Sequence, residues 1–357
     1  MVEIKGDMLE GGGQLLRIST AISAIMKSPL TITNIRANRT PPGLRAQHLN
    51  AVKAIGRLTS AEIEGLTLGS NKITFTPKVS VGGNLTIDIE TAGSTSLVLQ
   101  ALMPVMAFSP EPVSIELSGG TNNSMAPAID YVQNVVMPIV SKMGYQGSVD
   151  LLKRGFYPRG MGRIIASCNP IEKLKPLILT EMGTPVKLWG LAYSCRLPSH
   201  ISERMAKSAQ KLLAQEGYDA TIITESLKER DIKCSIDPGC GIILFSSLSS
   251  GGILGSDALG KLGKPAEKVG EEAASHMLHS LEQSAPIDRF LSDQLIIYAA
   301  LADDKSEIKV TELTLHTLTC IELCKKLLGT TFEIHGRIGE PSLIICNGIG
   351  VCNKNIF

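Results

Sequence analysis

The chain has few aromatic residues, almost no net charge and no closely paired cysteines. Phe, Trp and Tyr make up only 4% of its 357 residues, so Leu, Ile, Val, Ala and Met must form the core. Its 35 basic and 34 acidic residues leave a formal net charge of +1, whereas proteins that coat duplex nucleic acid are strongly basic. We therefore expect any nucleic-acid contact to be confined to an end or a pocket.

The eight cysteines form no CxxC motif, and no apolar run approaches membrane-spanning length. Cys320 and Cys324 lie four residues apart on a predicted helix and could seat a metal, but no second pair is spaced to complete the site. Buried thiols in a reducing compartment are the favoured interpretation. Because a signal-like N-terminus is also missing, the sequence predicts a soluble cytoplasmic protein with no membrane partner, or a nuclear one if its source is eukaryotic.

Two stretches follow the same order of predicted elements at a constant spacing. Gly11 and Gly93 are 82 residues apart, and so are Ile35 and Leu117, as expected for a duplicated β-α-β-α unit. The first unit predicts helices over 14–26 and 43–58 and a strand over 30–35. The second predicts strands over 84–90 and 113–117 and helices over 95–108 and 126–143. A third unit is predicted near the C-terminus, with helices over 292–302 and 317–328 and strands over 307–313, 331–335 and 342–346.

The rhythm changes between the second and third units. This part predicts strands over 187–193, 220–225 and 241–246 and helices over 202–216 and 265–283. We therefore predict an α/β (α+β) fold in which residues 1–184 and 284–357 form a large repeat domain with the active site. Residues 185–283 are predicted to form a smaller α/β domain inserted into it.

The segment EGGGQLLR, residues 10–17, places three glycines between a predicted strand and helix. Such a loop lets backbone N–H groups approach a phosphate at the positive end of a helix, although many glycine turns serve only backbone geometry. Glu10 offers a metal-binding oxygen, and Arg17 is predicted about two turns into the helix. The loop therefore indicates a candidate phosphate site.

Arg36 and Arg39 follow the next predicted strand in IRANRTPPG, residues 35–43. Two guanidinium groups on a proline-stiffened loop suit bidentate phosphate binding, and a solvated basic loop is the alternative. Gln47 and His48 are predicted one turn into the following helix, where they could face the same cleft.

Two further loops have suggestive compositions. SGGTNN at 118–123 fits either a tight turn or the rim of a nucleotide site. KRGFYPRGMG at 153–162 interleaves basic and aromatic residues with glycine, which suits an RNA sugar–phosphate end or a plain β-hairpin.

His316 is predicted immediately before the helix over 317–328. A helix N-terminus favours phosphate oxygens, and its dipole lowers the pKa of a nearby imidazole. A neutral imidazole can attack phosphorus. The alternative is a helix-capping or core histidine, which is the commoner use of such a residue.

These motifs together resemble the RNA 3′-terminal phosphate cyclase family over nearly the whole chain. The resemblance rests also on RTPPGLRAQHL at 39–49, TAGSTSLVLQ at 91–100, SGGTNNSMAP at 118–127, RGFYPRGMG at 154–162 and FLSDQL at 290–295. It implies three repeats resembling the C-terminal domain of translation initiation factor 3, plus the inserted domain. It also implies that ATP drives conversion of an RNA 3′-terminal phosphate to a 2′,3′-cyclic phosphate, with release of AMP and pyrophosphate.

The resemblance further implies a role for individual residues. His316 corresponds to the nucleophile that carries AMP as a phosphoramidate, and Glu10 lies near a Mg²⁺ or Mn²⁺ ion. The residues implied around the adenylate are Gln100, Pro127, Phe290, Asp293 and Gln294. Those implied around phosphates are Arg17, Arg36, Arg39, Gln47 and His48.

Two positions depart from the family pattern. Phe290 stands where many relatives have tyrosine, so base stacking survives and a hydroxyl contact is lost. Met161 replaces a glycine that is common there, which restricts the loop.

Two other classes of protein share some of these features. A non-catalytic cyclase-like scaffold in ribosomal RNA processing shares the fold but lacks the nucleophilic histidine, so His316 argues against it. An enolpyruvyl-transferase-type enzyme also stacks β-α repeats and binds anions with arginines, but the inserted domain and a single such histidine fit it poorly.

Overall fold

The computed structural model describes residues 1–356. These residues form four four-stranded sheets with helices packed on them. The first sheet contains β1 (Val2–Lys5), β2 (Leu30–Thr33), β3 (Glu62–Glu64) and β4 (Ile73–Thr76). The second contains β5 (Gly83–Asp88), β6 (Val113–Gly119), β7 (Gln146–Lys153) and β8 (Gly162–Asn169). The third contains β9 (Ile178–Leu179), β14 (Lys305–Val310), β15 (Thr331–His335) and β16 (Ser342–Asn347). The fourth contains β10 (Pro185–Cys195), β11 (Ala220–Leu227), β12 (Gly239–Leu248) and β13 (Ile253–Leu259).

The helices alternate with these strands along the chain. They are α1 (Gly13–Met26), α2 (Ala46–Leu58), α3 (Thr95–Ala107), α4 (Ile129–Tyr131), α5 (Met137–Lys142), α6 (His200–Gln215), α7 (Ala266–Glu282), α8 (Arg289–Leu301) and α9 (Leu315–Leu328). A π-helical turn, Val132–Val136, joins α4 to α5, so the predicted helix over 126–143 is interrupted and begins later.

The first three sheets share one strand order. Their orders are β1-β2-β4-β3, β5-β6-β8-β7 and β9-β14-β16-β15, and in each the first two strands are parallel while the others pair antiparallel. The fourth sheet differs, because its first strand is internal in the order β11-β10-β12-β13. Of the strands in the first three sheets, β3, β4, β7, β8 and β9 were not predicted, because they are short or lie in segments assigned to loops.

Several helices begin at residues other than those the sequence pattern predicts, and for three of them the backbone or the cap explains the difference. Gly43 has a positive φ and Arg45 is extended, so α2 begins at Ala46 rather than at 43. The Asp288 carboxylate caps α8, which begins three residues before the prediction. Thr314 caps α9 by accepting a hydrogen bond from the backbone N–H of residue 317 at 3.1 Å, so α9 begins two residues early.

The apolar residues form two cores. The larger core combines side chains from the first three sheets with one face of the fourth, and the smaller lies between the other face of the fourth sheet and helices α6 and α7. On β10 this alternation is explicit, because Leu188 and Ala192 belong to the smaller core and Tyr193 to the larger one. No helix within residues 1–356 is both long and apolar enough to span a bilayer.

Candidate active site

The glycine loop before α1 is shaped to admit a neighbouring imidazole. Gly11 has a φ of +63°, and Gly12 caps α1 without any side-chain hydrogen bond to its first N–H groups. A Cβ on Gly13 would overlap Nε2 of His48, so glycine is needed for the ring to approach. The loop and the first turn of α2 therefore stand side by side, with backbone N–H groups of α1 left for a ligand.

Arg17 is a buried cation with few partners. It is the fifth residue of α1, little more than one turn from the helix start rather than two. Its side chain is only 6% exposed, Nη2 donates a long 3.4 Å hydrogen bond to Gln100, and Nε has no partner within residues 1–356. Desolvation lowers the pKa of Arg17 to about 10, although Asp293 acts in the opposite direction. An incoming anion would supply the missing hydrogen bonds.

Gln14 connects His316 to Asp293. Its Oε1 lies 3.0 Å from Nδ1 of His316, which is in the first turn of α9 rather than before it, and its Nε2 donates to the Asp293 carboxylate. Desolvation first, then Arg17 and Arg39, lower the pKa of His316, so the ring is neutral at pH 7. The sequence predicted a lowered pKa from the helix dipole, and the causes found are partial desolvation of this solvent-accessible ring and two arginines.

The residues implied around the adenylate fall into two groups. Gln100 and Asp293 lie beside Arg17, and burial raises the pKa of Asp293 to about 7 even though Arg17 and Gln100 lower it. Phe290, 40% exposed at the start of α8, presents an aromatic face that a base can stack on, and the Gln294 amide donates to its carbonyl at 2.8 Å. Pro127, the fifth residue, accepts a 2.6 Å hydrogen bond through its backbone carbonyl from Ser96 of α3.

Gln47 and His48 lie in the first turn of α2 rather than one turn into it. Gln47 Oε1 accepts a 3.3 Å hydrogen bond from the backbone N–H of Ser94, which ties α2 to the cap of α3. Desolvation and then Arg17, Arg36 and Arg45 lower the pKa of His48 to about 3. Its Nδ1 is buried without a partner within residues 1–356, so a neutral imidazole is held beside the glycine loop.

The two loop arginines are engaged differently. Arg39 forms an ion pair with Glu10, whose other oxygen, Oε2, is buried and unpartnered within the described residues. Arg36 Nη1 donates to the backbone carbonyls of Pro41 at 3.0 Å and Gly43 at 2.9 Å. Part of the Arg36 guanidinium therefore holds its own loop, a task that the sequence did not indicate.

Sequence reasoning missed Gln14 and Arg45 as site residues. Gln14 is a polar side chain on the buried stripe of a helix, a signal that was available in the sequence. Arg45 is an exposed cation whose charge helps to lower the pKa of both Arg36 and His48. Nothing in its sequence spacing marks it apart from other surface arginines.

The loop at 154–161 does not offer the free positive charge that its composition suggests. It joins β7 to β8 in an antiparallel hairpin, the alternative interpretation of this segment. Arg154 is 2% exposed, donates to both Asp130 carboxylate oxygens at 2.9 and 3.0 Å and to Glu225 at 3.0 Å, and lies 4.0 Å from the Tyr193 ring centroid. Arg154 is therefore a paired structural charge, whereas an RNA contact by the rest of this segment stays a prediction.

The cysteines do not form a metal site. Within residues 1–356 no three His, Cys, Asp or Glu side chains come together in a geometry that could hold a metal ion. Cys320 and Cys324 are buried free thiols, which confirms the favoured interpretation of their spacing.

The site combines a glycine loop, the buried Arg17 and the hydrogen-bonded imidazole of His316 near helix N-termini. An α/β protein with this combination is suited to binding phosphate groups. The sequence profile described as RNA 3′-terminal phosphate cyclase matches residues 8–334. A Pyrococcus furiosus protein with that name is 42% identical over 340 residues, 95% of this chain and 97% of its own. Similarly named proteins of Pyrobaculum neutrophilum and Hyperthermus butylicus are 39% and 42% identical over 98% of this chain, and the matches cover 99% and 98% of their own lengths. The chain belongs to the RNA 3′-terminal phosphate cyclase family.

Proposed function

We propose that this protein uses ATP to convert an RNA 3′-terminal phosphate to a 2′,3′-cyclic phosphate through a covalent His316–AMP intermediate. Membership of the family supports the overall reaction, since the relatives carry its name. The observation that carries the mechanism is the neutral His316 ring, held through Nδ1 by Gln14 on the helix that follows the glycine loop. A non-catalytic scaffold would have no use for an imidazole held in this way.

The chemistry accounts for the use of ATP. Cyclisation of a phosphate monoester would have to expel oxide or hydroxide, which is a poor leaving group. In the proposed sequence Nε2 of His316 attacks the α-phosphorus of ATP, and the bond to pyrophosphate breaks. An oxygen of the RNA 3′-phosphate next takes the AMP and releases the imidazole. The adjacent 2′-hydroxyl, held at high effective concentration by its own ribose, then attacks the RNA phosphorus and expels AMP.

Charge neutralisation falls to the residues around the glycine loop. We assign the phosphates of ATP and RNA to Arg17, Arg36, Arg39, Gln47 and His48. Of these, Arg17 has the strongest support, because its buried guanidinium lacks a full set of acceptors. We assign the adenylate to Gln100, Pro127, Phe290, Asp293 and Gln294, and the exposed Phe290 ring is suited to stack on the base.

A divalent cation fits the site through Glu10. Its unpartnered buried Oε2 is a hard oxygen ligand, and Mg²⁺ commonly takes one or two carboxylates and completes its shell with phosphates and water. Mg²⁺ or Mn²⁺ bound there would neutralise phosphate charge. The Arg39 ion pair with Glu10 would have to loosen for both Glu10 oxygens to serve.

We also propose that the three sheets of common strand order are repeats resembling the C-terminal domain of translation initiation factor 3. Residues 185–283 would form the inserted domain, with residues 1–184 and 284–357 as the body that carries the active site. The separate apolar core beneath α6 and α7 supports this division. A cytoplasmic location is proposed as well, because the relatives come from archaea.

Labelled ATP tests the mechanism. We expect acid-labile label on the protein from ATP labelled at the α-phosphorus and none from ATP labelled at the γ-phosphorus. His316→Ala should remove the label without changing thermal unfolding, whereas His279→Ala, at an exposed position on α7, should keep it. Label from the γ-position would indicate phosphorylation, no label with fresh protein and metal would favour a scaffold, and label on His316→Ala would identify another nucleophile.

A further inference from the structure

Gln14 is the only side chain within residues 1–356 that hydrogen-bonds to the His316 ring. It is the second residue of α1 and is almost fully buried, so its amide cannot exchange freely between protein and water. One end of the amide meets Nδ1 of His316 and the other meets Asp293. The contact therefore joins α1, α8 and α9 at one point.

The polarity of the Gln14 amide follows from its neighbours. An ionised carboxylate only accepts hydrogen bonds, so above pH 7, where Asp293 with its pKa of about 7 has lost its proton, the NH₂ group of Gln14 must face Asp293. The amide oxygen then faces His316, and because this oxygen also only accepts, Nδ1 of His316 must carry the proton. In a neutral imidazole that arrangement leaves the lone pair on Nε2.

Nδ1 protonation is the arrangement that the proposed adenylation needs. The Nε2 atom has no hydrogen-bond partner within residues 1–356, and the His316 ring is solvent-exposed, so this nitrogen is the one available for attack. Free histidine prefers the other tautomer, with the proton on Nε2 and no lone pair there. A hydrogen bond that selects the Nδ1–H tautomer therefore increases the fraction of molecules that are able to react.

We propose that Gln14 is a positioning residue that fixes His316 in the Nδ1–H tautomer, with Asp293 setting the orientation of the Gln14 amide. This inference rests on the proposed function for its consequence, the rate of adenylation, but the tautomer itself is defined by the geometry. Arg17 completes the arrangement, since its buried charge faces Asp293 and disfavours a charged His316 ring. Gln14 touches no reacting atom and acts only through the imidazole.

Nitrogen-15 NMR of the full-length protein with labelled histidine side chains tests the tautomer directly. His316→Ala identifies the His316 signals among those of the six histidines. At pH 8, where Asp293 is ionised, we expect Nδ1–H in the parent protein. We expect the same in Gln14→Glu, which keeps an acceptor toward the ring and shares a proton with the Asp293 carboxylate. Gln14→Met, similar in volume but without hydrogen bonds, should shift His316 toward Nε2–H. Gln133→Met on the π-helical turn removes a comparable amide hydrogen bond, at 2.7 Å to the carbonyl of residue 149, and should leave the tautomer unchanged.

Single-turnover adenylation supplies the second measurement. At saturating ATP we expect the rate for Gln14→Met to fall about tenfold to a hundredfold, with the half-saturating ATP concentration within about twofold of the parent value. Gln14→Glu should recover most of the rate. A merely structural role for Gln14 would not produce this recovery, and it would not change the tautomer.

The outcomes separate this inference from the proposed function. An Nε2–H ring in the parent protein, an unchanged tautomer in Gln14→Met, or a Gln14→Glu rate as low as that of Gln14→Met would overturn the role of Gln14. If the parent protein takes no label from ATP, the proposed function fails, while the NMR result still decides the tautomer. Should Gln14→Met not fold, Asp293→Asn tests the same point by NMR, because an amide at 293 no longer fixes the Gln14 orientation and a mixture of tautomers is expected.

Discussion

Two buried arginines, Arg17 and Arg154, are in opposite situations. Arg154 donates three hydrogen bonds of 2.9 to 3.0 Å to two carboxylates, and its pKa is raised because Asp130 and its other partners outweigh desolvation. Arg17 has one long hydrogen bond to a neutral amide and an unpartnered Nε, and desolvation lowers its pKa. Both side chains are more than nine-tenths buried, so exposure does not distinguish them.

The difference separates a structural charge from one that awaits a ligand. Removing an ion from water is costly unless hydrogen bonds and opposite charge replace the solvent. Arg154 has both, and it joins the hairpin of the second sheet to β11 of the fourth. Arg17 has neither in full, and Glu10 and His48 also have buried atoms without partners within residues 1–356. Three of the six unsatisfied buried side-chain atoms in this part of the chain thus belong to residues that we assign to the metal or the phosphates, and the other three belong to Ser19, Asn123 and Ser246.

The largest expected effect is on stability, from Arg154→Met. This change leaves the Asp130 carboxylate buried without its cation, for which we expect a loss of about 3–5 kcal/mol in the free energy of unfolding. Adenylation per folded molecule should persist, because Arg154 is outside the proposed site. Denaturant unfolding and single-turnover labelling at a temperature where the variant is folded measure the two quantities.

A double variant sharpens this prediction. Adding Asp130→Leu to Arg154→Met removes both buried charges, so much of the lost stability should return. Arg163→Met, which breaks an exposed ion pair with Glu116, is a matched control and should change stability by less than about 1 kcal/mol. A stable Arg154→Met protein with poor adenylation would reverse the roles assigned to the two buried arginines.

The complementary effect is on the reaction, from Arg17→Met. Because Arg17 is poorly paired, its replacement by an apolar side chain of similar length should cost little stability or increase it. The adenylation rate should fall about 10²–10³-fold, as when one donor to a developing negative charge is removed. Unfolding and single-turnover assays on the same preparation test both statements, and a strongly destabilised but fully active protein would contradict them.

The contrast also shows what the sequence could predict. Glycine runs, helix stripes and spacing predicted the main helices and many of the strands, because these signals are local. The burial of Arg154 was not predictable, because its partners are distant in sequence and lie on different elements, Asp130 on α4 and Glu225 on β11. The Gln14 contact with His316 spans 302 residues for the same reason. Motif composition predicted which residues bind the phosphates and the adenylate. Only the fold determined which of the charges are already paired.

Asp257 on β13 is a desolvated acidic group, as Arg17 is a desolvated basic one. The charged neighbours of Asp257 are acids and so have the same sign as its carboxylate. Burial, followed by the charges of Asp130, Asp288 and Glu272, raises its pKa to about 6. The folded protein therefore holds a proton that the unfolded chain has lost, so this group makes stability decrease as pH rises from about 4 to about 6.

Asp257→Asn should remove that decrease. We expect the variant to exceed the parent protein in stability by about 3 kcal/mol at pH 8 and to match it at pH 4. Asp150→Asn at an exposed position of β7 serves as the control and should follow the parent at both pH values. A variant that gains equally at pH 4 would show that packing, and not the charge of Asp257, causes the effect.

The smallest effect is expected from Arg39→Ala, because its ion pair with Glu10 is half exposed on the arginine side. We expect less than about 1 kcal/mol in stability and a severalfold weaker affinity for RNA ending in a 3′-phosphate, with 3′-hydroxyl RNA as the reference ligand. Releasing Glu10 should also lower the Mg²⁺ concentration that half-saturates adenylation, since the carboxylate no longer shares its charge. Arg230→Ala, an exposed arginine far along the chain, is the control. If neither RNA affinity nor Mg²⁺ dependence changes, Arg39 acts only as a surface partner of Glu10, and Arg17 carries the phosphate charge without it.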